Sequence, residues 1–188
     1  MNSKDSEVAR IFLKQARHSL TKHHLPRITR CLRLLSEDDI WWRPNHISNS
    51  VGNLVLHLSG NVRQWIISGL GGKPDTRNRD KEFAERGPVP RRQLVVRLSG
   101  VVTEAAGVMA RLDARQLEAG RLIQGFRVTG FQAVFHVAEH FAYHSGQIQY
   151  ITKLKRSRDL GFTRLPGGKG KAGTKSKVKI NTKTLPQL

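Results

Sequence analysis

Apolar residues recur at helical spacing along most of the chain. Between Ser6 and Leu35 they fall at Val8, Ile11, Phe12, Ala16, Leu20, Ile28, Cys31, Leu32 and Leu35, a period that predicts helix. Pro26 lies inside this segment and has no amide hydrogen, so a kink or a break into two helices is expected near His24. "SEDDIWWRPNHISNS" reads as a loop, with Pro44 and several Asn and Ser residues as turn formers. A second helix is predicted to start at Asn49 or Ser50, whose side chains can cap exposed amides, and to stop at Gly71-Gly72. "KPDTRNRDKEFAERGPVP" is polar and broken by prolines, and reads as a long connection.

A third helix is predicted from Val89 to Leu112. "DARQLEAGRLIQGFRVTG", with Gly120, Gly125 and Gly130, reads as loop with a brief extended pair. A fourth helix is predicted from Thr129 to Arg156. Four long helices and no convincing sheet predict an all-α fold, a helical bundle.

The fourth helix contains "FQAVFHVAEHFAYHSGQIQY", with His136, His140 and His144 four residues apart. At about 100° per residue they fall near 0°, 40° and 80°, within the arc that also holds Ala133, Val137, Phe141 and Ile148. Buried imidazoles need partners for their ring nitrogens, and a metal ion supplies them. Two histidines at i and i+4 can share one divalent ion, with a third ligand expected from a facing helix. His57, in the apolar context "NLVLHLSGNV", is the candidate. His18, His23, His24 and His46 stand in polar or loop stretches.

His136 to His140 also reads H-x-x-E-H, an inverted zinc-peptidase pattern in which Glu139 would activate water. That chemistry needs a further acidic ligand well downstream. Only Asp159 follows, in a basic stretch, so the peptidase reading is set aside.

The 188 residues suit one domain, taken as 1–160, followed by a tail, 161–188. The net charge is +19, and no acidic residue follows Asp159. Arg164, Lys169, Lys171, Lys175, Lys177, Lys179 and Lys183 carry seven of those charges and leave +12 on the remainder. The tail is Gly-, Lys- and Thr-rich and expected to be disordered. Such charge makes nucleic acid or another polyanion a partner to consider, through nonspecific, salt-dependent contact with no recognised reading motif. Cys31 is the only cysteine, which excludes an intrachain disulfide and a cysteine-based zinc site. No apolar run of membrane-spanning length and no secretory leader is seen, so no membrane association and a cytoplasmic location are expected.

"NSVGNLVLHLSGNVRQWIISGLGG" together with "HVAEHFAYHSGQIQYITKL" resembles the DinB-like superfamily, also called YfiT-like metalloenzymes, and within it a bacterial branch of unassigned function. The resemblance spans about residues 6 to 156. It implies an up-down four-helix bundle, often a homodimer, that holds a divalent metal on one histidine of the second helix and two of the fourth. Carried over by position, these are His57, His140 and His144; on the wheel His140 and His144 lie deeper in the apolar arc than His136, which is then expected beside the ligands or at the rim of the site. Three neutral imidazoles leave open positions on a zinc or nickel ion for water or substrate. Relatives in the superfamily are thiol S-transferases and an isomerase that use low-molecular-weight thiols, so a metal-dependent transferase or hydrolase activity is one expectation. A non-enzymatic basic binding protein is the other. Glu139 points away from His140 on the wheel and leaves no evident general base. Gln147 is placed to touch a ligand, Asn53 and Asn61 either to orient His57 or to face solvent, Trp65 in the core, and Trp41 and Trp42 without a role.

Overall fold

The structure, a computed structural model, describes residues 3–87 and 89–163. The expected disordered tail therefore lies, beyond residue 163, outside the described residues. The chain divides at Arg158 into a Met1–Arg158 unit and an Asp159–Leu188 unit. Among the described residues, every helix and strand belongs to the first unit.

That unit is mostly helical. The first long segment comprises α1 (Ser3–His18), a π-helical turn (Ser19–His24) and α2 (Leu25–Leu34). The kink or break expected near His24 takes the form of this π-helical turn: the Leu25 amide donates to the Leu20 carbonyl, a widened i→i+5 bond, and Pro26 falls in the first turn of α2, where a missing N–H costs least. A short helix not foreseen in the loop, α3 (Glu37–Trp41), is capped by Ser36, whose hydroxyl accepts from the Asp39 amide at 3.0 Å.

Ser50 caps α4 (Val51–Val62) as expected and forms a capping box with Asn53. Every residue of α4 is buried, as a helix apolar nearly all round requires. A second π-helical turn, Arg63–Ser68, carries it towards Gly72, whose φ of +74° ends it. The connection after Gly72 contains the unforeseen α5 (Arg79–Ala84), capped by Asn78.

Next come α6 (Arg91–Met109), which starts after Pro90 rather than at Val89, and α7 (Ala114–Glu118). The extended pair is a two-stranded antiparallel hairpin, β1 (Gly120–Ile123) and β2 (Phe126–Thr129), turning at Gln124 and Gly125, both with positive φ. Finally α8 (Gly130–Arg156) opens with a capping box between Thr129 and Gln132.

α4 packs against both α6 and α8, and α2 packs against the same two helices from the opposite side. Ile28, Leu32, Val55, Leu58, Leu94, Val102, Val137 and Phe141 close the core between them. Among the described residues no helix is long and apolar enough to cross a membrane. The packing fixes one consequence for the site: the inward face of α4 meets the inward face of α8, and α5 lies against α4 from outside.

Candidate metal centre

Helical spacing carries His57 on α4 and His140 and His144 on α8 into one cluster. One ring nitrogen from each lies within 4.8 Å of the others. His57 Nε2 and His140 Nε2 face each other at 2.9 Å. His57 and His144 are buried, and His140 is partly so.

The outward nitrogens have polar partners. His57 Nδ1 lies 3.0 Å from the acceptor Glu82 Oε2 and 3.1 Å from the donor Arg77 Nη2, so it can give a proton to the carboxylate or accept one from the guanidinium. His144 Nδ1 lies 2.6 Å from Gln147 Oε1, an acceptor that favours a proton on Nδ1 and a lone pair on the His144 Nε2. Gln147, expected to touch a ligand, thus acts first on His144.

Burial pushes His140 down to about 3, helped by the neighbouring His144 and His57 rings. His144 is lowered by the same burial, partly opposed by Gln147. His140 and His144 are therefore held neutral, the state in which imidazoles bind metals.

Glu82 is the residue that sequence reasoning missed. It is 6 % exposed and carries two hydrogen bonds from Arg77, Nε to Oε1 at 2.8 Å and Nη2 to Oε2 at 2.9 Å. Burial alone would raise its carboxyl, but the bonds from Arg77 and His57 outweigh it and hold it below the ordinary value. Arg77 is itself anchored on Gln64 Oε1 at 2.9 Å.

Gly60 makes the arrangement possible, because a Cβ there would meet the Glu82 carboxylate and lie 2.9 Å from Arg77 Nε. Asn53 adds the backbone half. Its amide donates to the Glu82 and Glu85 carbonyls, both at 2.9 Å, which pins α5 to the start of α4. Asn53 and Asn61, expected either to orient His57 or to face solvent, do neither. Both are buried; Asn53 holds the backbone of α5, and Asn61 Nδ2 lies 3.1 Å from His136 Nε2.

His136 stands apart from the triad, stacked between His140 at 5.2 Å and Trp65 at 4.0 Å between ring centres. Trp65 is buried, as expected, and Glu139 is exposed. Trp41 packs over Gly52 and Gly87. The triad opens into a cleft of about 820 Å³ whose walls include Leu54, Phe83, Tyr143 and Tyr150.

Three comparisons place the chain among known proteins. The family model for proteins of unknown function, DUF1572, matches residues 7–169. No curated protein matches. Among solved structures, a DinB-like protein from Bacillus subtilis, YjoA, is 19 % identical with a TM-score of 0.57, covering 77 % of this chain and 92 % of that one. A DinB-like protein from Bacillus cereus is 14 % identical with a TM-score of 0.56, covering 72 % and 87 % respectively. At these identities the likeness is one of fold.

Proposed function

We infer the function from one premise: the chain belongs to the DUF1572 family, whose members are of unknown function, and it is DinB-like. We propose that it is a divalent-metal-binding protein, with zinc or nickel as the ion and His57, His140 and His144 as the ligands. In the same reading α1–α2, α4, α6 and α8 are the four members of an up-down bundle with the metal between the second and the fourth.

The observation that carries this is the convergence of His57, His140 and His144, one ring nitrogen of each within 4.8 Å of the others, with the outer nitrogens of His57 and His144 held from behind by Glu82 and Gln147. His57 Nε2 and His140 Nε2, 2.9 Å apart, can share at most one proton, whereas a cation satisfies all three nitrogens together. Three nitrogen ligands suit an ion with a position open to the cleft.

Bound there, such an ion would act as a Lewis acid that lowers the pKa of a coordinated water or thiol. The chain's own residues do the rest. Glu82 and Gln147 orient the two rings, Arg77 keeps Glu82 ionised, and Leu54 and Phe83 give the cleft an apolar wall. We take the reaction to be metal-dependent activation of water or a low-molecular-weight thiol, S-transferase-like in the second case. Elemental analysis of the purified chain should find about one divalent ion per chain. Conjugation of an electrophilic halogenated aromatic with a bacterial thiol or glutathione should then require that ion; equal turnover by stripped and loaded protein would defeat the enzymatic part. The polyanion-binding alternative rests on charge alone, and the basic tail on which it draws lies outside the described residues.

A further inference from the structure

The cleft above the triad has a wall chemistry of its own. Arg79 is the one charged side chain other than histidine among the described residues that line it, and no carboxylate does. Its guanidinium carbon sits 4.9 Å from the centre of the Phe83 ring, and that ring lies 4.6 Å from the ring of His57. These two spans, 4.9 and 4.6 Å, put the guanidinium no farther than 9.5 Å from the centre of His57, about the reach of one substituted benzene ring.

Arg79 is exposed and has no ion-pair partner among the described residues. The neighbouring arginines are engaged otherwise: Arg77 on Glu82, Arg43 on Asn53 and the Phe83 carbonyl, and Arg86 on the Phe83 carbonyl. Across the cleft Tyr143 and Tyr150 stand 63 % and 69 % exposed, one on each side of Gln147 on α8. Two exposed tyrosines and Ile47, 80 % exposed, form an apolar rim that the core does not use.

We propose that this cleft takes a small aromatic carboxylate, its ring between Phe83 and the two tyrosines, its carboxylate on Arg79, and its far end directed at the histidine triad. An arginine accepts a carboxylate through two parallel N–H bonds, and aromatic walls hold a flat body with little loss of side-chain freedom. The proposal deepens the metal-centre reading and rests on it only for the end of the ligand that faces the histidines.

The test is isothermal titration of the full chain with 4-mercaptobenzoate, thiophenol and benzoate. Metal-loaded protein should bind 4-mercaptobenzoate about three- to fivefold more tightly than thiophenol, the gain of one charge-assisted contact at an exposed arginine. Arg79→Gln should erase that preference and Arg79→Lys should restore part of it, with circular dichroism and metal content checking that each variant folds and loads. Equal affinity for the two thiols in wild-type protein, or a preference that survives in Arg79→Gln, would overturn the proposal. Benzoate on metal-stripped protein separates the two readings: Arg79-dependent binding there supports the anion site even if no metal is ever found. Replacing Tyr143 and Tyr150 together by Ser should weaken both thiols; a change in oligomeric state with affinities untouched would assign the rim to a protein interface and overturn the ligand reading.

Discussion

His57, His140 and His144 stand on α4 and α8, helices of 12 and 27 residues, whereas Glu82 and Phe83 reach the same place from α5, a helix of six residues. The helical half is positioned by burial along its whole length. Val51 to Val62 are all buried, and α8 is seated by Ala133, Val137, Phe141 and Ile148, so the histidine geometry does not depend on any single contact. The connection half is positioned by a few polar bonds: Asn53 to the Glu82 and Glu85 carbonyls, Arg77 to the Glu82 carboxylate, Arg77 to Gln64. Too short to be stable alone, α5 exists because those bonds and its contact with α4 hold it there. One half supplies the proposed ligands, which packing fixes; the other is expected to tune them and to be undone by single substitutions.

The strongest way to break the comparison is to remove a ligand from the helical half. His144→Ala should abolish stoichiometric metal binding, measured by elemental analysis after dialysis, while the helical circular dichroism signal stays close to wild type. A collapse of the fold instead would show that the metal, rather than packing, positions α8.

Glu82 is the next largest effect and acts on the other half. Glu82→Gln keeps the size and removes the charge, and should weaken metal affinity by about 10- to 100-fold in a competitive chelator titration. Glu82→Ala leaves Arg77 buried without its partner and should also cost roughly 3–5 kcal/mol in urea unfolding. Unchanged affinity in Glu82→Gln would reduce Glu82 to a structural partner of Arg77. Gly60→Ala sharpens the point without touching a polar group. Its new methyl pushes the Glu82 carboxylate off His57, so metal affinity should fall by less than in Glu82→Gln.

A further effect is graded with pH. Unfolded histidine takes up its proton near pH 6.5, whereas His140 in the fold resists until about 3. The unfolded chain therefore binds more protons across that interval, and metal-stripped protein should lose stability steadily as the pH falls from about 6.5 towards 3. The lowered carboxyl of Glu82 adds a loss of the same sign once the pH drops below the ordinary glutamate value of about 4.3. Melting temperature recorded from pH 7.5 to 4 measures the slope. A flat profile would mean that His140 is not held neutral.

The contrast between the two halves also explains what could be read from residue order. The four long helical segments, the Ser50 cap and the extended pair follow from periodicity and capping, which are local properties, whereas the choice of His140 and His144 over His136 as companions of His57 comes with the DinB-like resemblance. Pro26 marked the irregularity near His24 but not its form, a π-helical turn in which the Leu25 amide reaches back to the Leu20 carbonyl. Glu82 was invisible for a different reason. "RDKEFAERG" looks like a solvated run, and its one acid that turns inward does so only because Gly60, far away in sequence, leaves it room. The available signals were two: a glycine in the middle of an otherwise apolar helix, which marks a close approach, and Asn53 a turn before His57, a buried amide that needed backbone partners.

The central claim is that three histidines on two long helices hold a divalent ion and that the fourth, His136, does not. Zinc titration of stripped wild-type, His57→Ala and His136→Ala proteins in the presence of a chromogenic chelator tests it most directly. The predicted result is one tightly bound ion per chain in wild type and in His136→Ala and none in His57→Ala. One ion retained in His57→Ala, or none in wild type, would contradict it.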